Sequence, residues 1–451
     1  MSLTRPASGA WPDGEPATER NTNPVTPLYL GIDIGTSGVR AFVIDADETI
    51  VASAHGPLPP PERRGGQVRQ DAELWWGAVE DLLGELSDHI DMGRIVALAV
   101  DGTSGTILLA DAAGRPLVAA RLYNDQSAAE AGARIDRHAP ADSVARGASS
   151  ALARLLALLE EAGVAPVRHA LHQADWVAGR LCGVYGHSDF NNCLKLGFDA
   201  VGGAWPGWLG ELGFDLSILP EVAAPGDALG AIAPEMAQRF GFAPDCAVLR
   251  GTTDGNAAFL AAGDFELGVA VTSLGSTLTV KLVSQAAVFS PEFGVYSHRM
   301  LGHWLAGGAS NTGGAAIARF FAAEQIAALS PALDPAQPTG LDYYPLPAPG
   351  ERFPIADPTR PPVFEPRPES DAIFLQGILE GIAQIEGQAY GRLADLGATP
   401  VTRIVTVGGG AANEAWTAIR AKTLGVPVST AAVTEAAFGS ARLARLRCGN
   451  G

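Results

Sequence analysis

The chain reads as an α/β protein built from two similarly opened halves. Strand and helix patterns alternate from Leu28 onward. A hairpin pattern with a glycine–hydroxyl tip occurs twice, at Gly35-Thr36-Ser37 and, 240 positions later, at Gly275-Ser276-Thr277. The 451 residues are also too many for one ordinary core. Two such hairpins, each opening one half, suggest a duplicated domain facing its copy. The expected organisation is a disordered tail over residues 1–27, a first domain over 28–247, a second over 248–446 and a short tail over 447–451.

The elements follow in order. Residues 1–27 lack the apolar middle of a secretion signal, and their Pro, Thr, Asn and Glu content reads as disorder. "YLGIDI" and "VRAFVID" read as antiparallel strands. "RQDAELWWGAVEDLLGEL" reads as a helix capped by Asp71, with Leu74, Ala78, Leu82 and Leu86 on one face. "IVALAVDGTSGTILLADAAGRPL" is strand, loop, strand and turn, and "CAVLRGTTDGNAAF" is a strand and glycine turn that opens the second half near residue 248. The proline-dense segment between Asp334 and Glu369 is expected to pack over the cleft or a sheet edge. After Ser370, residues Leu375, Ile378, Ile382, Ile385, Ala389, Leu393 and Leu396 keep a helical spacing. Gly377, Gly381 and Gly387 in that helix imply close packing against it. "RIVTVGGGAANEAWTAIRAKTLGVPV" closes the pattern as strand, triple glycine, helix and strand.

Bulk properties exclude some partners. No stretch approaches the roughly 20 uncharged apolar residues that a membrane span needs. A net charge of −18 disfavours nucleic acid and anionic membrane, which both need basic surface. It leaves room for a phosphate ligand held by backbone N–H groups and a metal. Four cysteines, none in a Cys-x-x-Cys pair, fit a reducing cytoplasm.

Four motifs can carry chemistry. At the first hairpin, backbone N–H groups around Gly35, Thr36 and Ser37 can wrap a phosphate, and Asp33 can hold Mg²⁺ through water; a plain tight hairpin capped by Asp33 explains the same residues. Gly275, Ser276 and Thr277 would meet the same phosphates from the other side. This is not a P-loop, for no G-x-x-x-x-G-K-[ST] sequence is present. Gly408, Gly409 and Gly410 let bare backbone approach a ring or a sugar, with Asn413 on a base edge and Trp416 on a purine; alternatively Trp416 is a core residue. Asp254, in a Gly-Thr-Thr-Asp-Gly turn, is placed to take a proton from a hydroxyl nucleophile, or else to cap the helix that follows.

Together these residues resemble the FGGY carbohydrate kinases, from about Leu28 to Leu446. "GIDIGTSGVRAFVID" is similar to the family's first phosphate motif and "TSLGSTLTV" to its second. "GGQVRQDAELWW" resembles the stretch after the first motif, and "RGTTDGNAAFLAAG" the catalytic-aspartate segment. "GGASNTGGAAIARFF" is similar to a glycine helix start and "GERFPIADP" to a Gly-Glu-Arg-x-Pro loop. "VGGGAANEAW" with "EAAFGSARLA" looks like the adenosine site and closing helix. The resemblance implies two duplicated ribonuclease H-like, actin-like ATPase domains with a nucleotide and sugar cleft between them. It implies ATP and Mg²⁺ as cofactors. Asp254 would be the general base, Asp33 would serve the metal and touch the sugar, and Thr36 would lie among the catalytic groups. Gly35, Thr36, Ser37, Gly275, Ser276 and Thr277 would hold phosphates, and Gly409, Gly410, Asn413 and Trp416 would surround adenosine.

Two departures bear on the substrate. "DGTSGTILL" puts Ser104 where relatives carry a larger sugar contact, and in "YNDQS" Ser127 replaces an arginine while Tyr123 and Asp125 remain. These traits and the short chain resemble a compact subgroup that favours D-ribulose. The expected reaction therefore makes D-ribulose 5-phosphate, with D-xylulose as the near alternative and Ser104, Asp33 and Asp254 on the ketose. Dimers are frequent among such kinases, so a homodimer is one expectation, although no segment marks an interface. The rival readings are an actin-like ATPase and a sugar sensor with weak ATP hydrolysis.

Overall fold

The computed structural model describes residues 26–448. Nearly all of the tail expected over 1–27 lies outside the described residues, as do the last three positions of the tail expected over 447–451. Arg447 and Cys448 instead continue the final helix, Ala436–Cys448.

Every residue of the strand Leu28–Ile34 is buried, as in a strand covered on both faces. It pairs antiparallel with Gly38–Ile44 and parallel with Ile95–Gly102. Ile50–Pro57 extends the sheet beyond the hairpin, Ala247–Thr253 joins the parallel side, and Ala228–Ala231 forms that edge. The second half repeats the plan. Val269–Leu274 pairs antiparallel with Leu278–Ser284 and parallel with Arg403–Val407. His303–Ser310 extends the sheet beyond that hairpin and Val428–Thr430 joins the parallel side, while Tyr296–Met300 adds an edge. Both sheets thus share one strand order around a central hairpin. The two-lobed duplication expected from the repeated tip is the architecture found.

The break expected at residue 248 is misplaced. Ala247–Thr253 belongs to the first sheet, where Thr252 and Thr253 pair with Asp101 and Gly102. The chain crosses over one helix later. Asp254–Ala262 sets Phe259 among Val271, Val283, Leu305 and Val405 of the second sheet. The final helix returns the exchange, setting Phe438, Ala441 and Ala444 among Tyr29, Ala97 and Ala99 of the first. The two helices meet at Gly439, where an added Cβ would lie 1.8 Å from the Ala257 carbonyl oxygen, so only glycine permits the approach.

Other elements refine the sequence reading. Asp71 does cap the helix Ala72–His89, accepting from the Glu73 N–H at 3.0 Å. Its buried face, however, is Trp75, Val79, Leu82, Leu83 and Leu86, with Leu74 41% exposed. The Trp75 and Trp76 rings decide the helix's rotation because they bury the most area, Trp75 packing edge-on against Trp176. The long helix Asp371–Asp395 follows Ser370 as expected, with Ser370 as its cap, and buries the expected stripe from Leu375 to Leu393, while Leu396 lies at its C-cap. The proline-dense segment packs onto this helix and also against the second sheet, where Phe353 lies on Gly308 and Glu351 accepts from Ser310 Oγ at 2.6 Å. An added Cβ at Gly377 would lie 2.7 Å from Leu341, and one at Gly381 would lie 2.8 Å from the Tyr343 carbonyl.

The first lobe also carries a separate sheet that includes Gln67–Gln70, Ala120–Arg121, Ile107–Ala110 and His169–His172. Its core of Ile107, Leu109, Leu152 and Leu155 supports the loop from Thr103 to Thr106.

Candidate active site

Three parallel strands of the first sheet end side by side, and each delivers an aspartate. Asp33 and Asp101 are direct neighbours in register, and Asp254 follows the strand whose Thr252 pairs with Asp101. The crevice beyond the carboxyl ends of parallel strands is where α/β sheets place ligands. Asp33, Thr36, Thr103, Tyr123 and Asp254 line one cavity there, of about 380 Å³. A second cavity of about 360 Å³ shares Gly255, Ala258 and Thr434 with the first and reaches Lys281 and Gly408 of the second lobe. Gly409 and Gly410 then open onto a third, of about 1400 Å³, that also includes Gly275, Ser276 and Asn413. The path from Asp254 to the large cavity therefore runs through the cleft between the lobes.

The carboxylates differ in their surroundings. Asp101 is fully buried, accepts from Ser440 Oγ at 2.6 Å through Oδ2, and leaves Oδ1 without a hydrogen-bond partner. Asp33 is also buried and accepts from Arg40 Nη1 at 3.2 Å. Burial raises the proton affinity of both, and Asp101 is pushed well up because the charge of Asp33 adds to the burial. Two buried carboxyls so placed repel when both are charged, which favours a proton on one of them, while the Arg40 guanidinium favours the charged form of Asp33. Burial likewise raises Asp254. The Gly255 N–H (2.6 Å to Oδ1), the charges of Lys281 and Lys195, and the Ser104 N–H work in the opposite direction.

The hairpin tips are only partly free to bind. The Gly35 N–H closes its own turn on Gly38 O at 3.0 Å, and the Gly275 N–H closes on Thr277 O at 3.2 Å. These two N–H groups, expected to hold phosphate, are spent inside the turns. What the tips present is Ser37, Ser276 and Thr277, all exposed, and Thr36, which faces the aspartates.

On the large cavity, Asn413 and Trp416 are walls more than readers. Asn413 caps its helix: Oδ1 accepts from the Trp416 N–H at 3.0 Å, and Nδ2 donates to Ser330 Oγ at 2.8 Å. Trp416 is 3% exposed and donates from Nε1 to Leu379 O, which makes it the core residue of the alternative reading. An added Cβ at Gly410 would lie 2.5 Å from the Trp416 ring, so packing demands that glycine, whereas Gly409 has open space.

The substrate wall also differs from expectation. Ser104 is half-buried and offers Asp254 its backbone N–H, while Thr103 and Tyr123 are the side chains on the cavity. Asp125 is fully buried, accepting from the Val68 N–H at 2.8 Å and from Ser127 Oγ at 2.7 Å, with Arg121 Nη1 donating to Ser127 Oγ at 2.8 Å. Asp125 and Ser127 therefore brace the wall from behind. Arg154 pins the loop by donating to the carbonyls of Gly105, Tyr123, Asp125 and Ser149.

Asp101 was legible but missed, for "AVDGT" repeats the grammar of "GIDIGT": an apolar strand, an aspartate, then glycine and threonine. Among the described residues no three His, Cys, Asp or Glu side chains converge as a metal cage. The orphaned Asp101 Oδ1 beside Asp33 nevertheless suits Mg²⁺, which takes one or two carboxylates and fills its other positions with water and phosphate oxygens.

The chain matches family models along almost its whole described length. Residues 28–261 match the N-terminal domain, and residues 270–447 the C-terminal domain, of the FGGY family of carbohydrate kinases. It is 25% identical to the xylulose kinase of Escherichia coli K12 over 437 residues, covering 93% of this chain and 90% of that one. It is 28% identical to the xylulose kinase of Streptomyces coelicolor over 416 residues, covering 89% and 84%. Its structure is similar to that of a xyloylose kinase from Brucella ovis, with a TM-score of 0.83 at 25% identity over 94% of this chain and 91% of that one. The fold is also shared with a glycerol kinase from Plasmodium falciparum, with a TM-score of 0.80 at 16% identity over 94% and 90% of the two chains.

Proposed function

Because the chain belongs to the FGGY family of carbohydrate kinases and is itself a carbohydrate kinase, we propose that it transfers the terminal phosphoryl group of ATP to a hydroxyl of D-ribulose, giving D-ribulose 5-phosphate. The observation that carries this reading is the convergence of Asp33, Thr36 and Asp254 on one small cavity that continues into the second lobe. Asp254 takes the proton of the attacking hydroxyl, which is the task its position beside the cavity suits. Asp33 and Asp101 would hold Mg²⁺, whose charge would offset that of the polyphosphate. Thr36, Ser37, Ser276 and Thr277 hold phosphate oxygens from the two lobes, and the large cavity takes adenosine against Gly409, Asn413 and Trp416. Catalysis is chiefly positioning and charge neutralisation. Four free cysteines fit a cytoplasmic enzyme.

D-xylulose is the second reading, favoured by the names of the relatives. A coupled assay of ADP release with Mg²⁺, ATP and a panel of ketoses and polyols separates the two. D-ribulose should stimulate most, and Asp254→Ala should lower that turnover by about 10²–10⁴-fold. A larger response to D-xylulose moves the assignment to the second reading. Equal release with and without every sugar replaces both with an ATPase or a sensor.

A further inference from the structure

Lys281 lies in the strand Leu278–Ser284, just after the tip of the second hairpin, in an alternation that reads as an ordinary polar position. Its Nζ instead crosses the cleft to the turn that carries Asp254. It donates to the Gly255 carbonyl oxygen and to Asn256 Oδ1, the latter at 2.9 Å. The N–H of the same Gly255 donates to Asp254 Oδ1 at 2.6 Å. One residue, Gly255, therefore separates the ammonium of the second lobe from the carboxylate of the first.

Two glycines make room for this arrangement. An added Cβ at Gly307, the strand neighbour of Lys281, would lie 2.9 Å from Val280 O and 3.3 Å from Lys281 Cγ. One at Gly255 would lie 3.2 Å from Nζ itself. The turn is tied to the second lobe from its other side as well. Asn191 Nδ2 donates to Thr252 Oγ1 at 3.0 Å, and the Arg299 N–H donates to Asn191 Oδ1 at 2.9 Å. The turn from Thr252 to Asn256 is thus held between two strands of the opposite lobe.

We propose that Lys281 is a positioning residue for Asp254: it transmits the position of the second lobe's hairpin to the carboxylate, so that the base is set only when the lobes are correctly apposed. The inference rests on the reading of Asp254 as the base. The ionisable groups around Lys281 are Asp254, Lys195 and His298. Burial pulls Lys281 down to about 8, with Asp254 opposing that shift, and burial together with both lysines keeps His298 neutral. Opposite charge near a carboxylate favours ionisation, so removing the ammonium raises the proton affinity of Asp254.

The test compares the full-length wild type, Lys281→Met and Lys281→Arg in ketose-dependent ADP release across pH, with hydrogen–deuterium exchange of the peptide over 252–260 in the same samples. Lys281→Met should lower kcat by roughly 10- to 100-fold while ketose KM moves far less. Its acid limb should move up by about one unit, with faster exchange in the 252–260 peptide and partial recovery of all three in Lys281→Arg. An unchanged acid limb and unchanged exchange in Lys281→Met overturn the proposal, even if ATP KM rises. Should the wild type respond to no sugar, the kinase reading fails, and the exchange comparison alone decides the tether: equal exchange in wild type and Lys281→Met ends it. Equal melting temperatures of the three proteins show that the comparison is between folded proteins.

Discussion

Asp254 sits where two influences on a carboxyl oppose one another. Burial raises its proton affinity, while Gly255 N–H, Lys281, Lys195 and Ser104 N–H favour its charge. A base must be deprotonated to act, so turnover should fall as pH drops through its raised value. The acid limb of kcat should therefore lie above the ordinary aspartate value of about 4, and a rate profile whose acid side is flat down to that pH contradicts the assignment. Asp101 makes a different prediction. A carboxyl held above its unfolded value binds protons more tightly in the folded state. Its contribution to stability is greatest at low pH and is lost as pH rises through the folded value. Asp101→Asn should accordingly raise the melting temperature at pH 8 without divalent cation by at least about 2 °C. It should also flatten the fall in stability as pH rises above the ordinary aspartate value, blunt the stabilisation by Mg²⁺ and lower turnover. A lower melting temperature under those conditions would contradict the account of the pair.

At the scale of elements, the second lobe hides an ionic junction inside its core. Arg420 and Glu386 are both fully buried and meet through two hydrogen bonds, Nε to Oε2 at 2.6 Å and Nη2 to Oε1 at 2.7 Å. Thr272 Oγ1 also donates to Glu386 Oε1, so the junction joins the helices Asp371–Asp395 and Glu414–Leu424 to the strand Val269–Leu274. Breaking one half leaves an unpaired buried charge. Arg420→Met should cost about 3–5 kcal/mol in urea unfolding, with the double variant Arg420→Met/Glu386→Leu recovering much of the loss; equal losses would contradict the pairing. Such features mark where sequence reading stopped. The long helix was legible because its serine cap and its stripe from Leu375 to Leu393 obey local rules. Glu386 and Arg420 were not, since a lone charged residue in a helix reads as solvent-facing until its partner in another element is known. The rotation of Ala72–His89 was misread for a related reason: Leu74 and Ala78 fit the period, but the tryptophan rings find their pocket against another helix. Lys281 escaped notice because its target lies in the other lobe. The two hairpin tips were legible from their glycines and hydroxyls, whereas the turn-closing bonds that occupy Gly35 and Gly275 are visible only in three dimensions.

Across the whole molecule, the exchanged helices explain how two lobes can share one reaction. Asp254 begins the helix whose Phe259 is packed in the second sheet, and Ser440, on the helix packed against the first sheet, holds Asp101. Each lobe is thereby packed directly against an element that positions a carboxylate at the cleft. The central claim is that one nucleotide spans this cleft, with its terminal phosphate delivered to Asp254. A crystal structure with Mg²⁺ and a non-hydrolysable ATP analogue tests it most directly. The account predicts adenosine in the large cavity beside Gly409, the γ-phosphate between the Thr36 and Ser276 tips, and the Asp254 carboxylate facing it across room for one hydroxyl. A nucleotide bound wholly to one lobe, with its terminal phosphate turned away from Asp254, would contradict it.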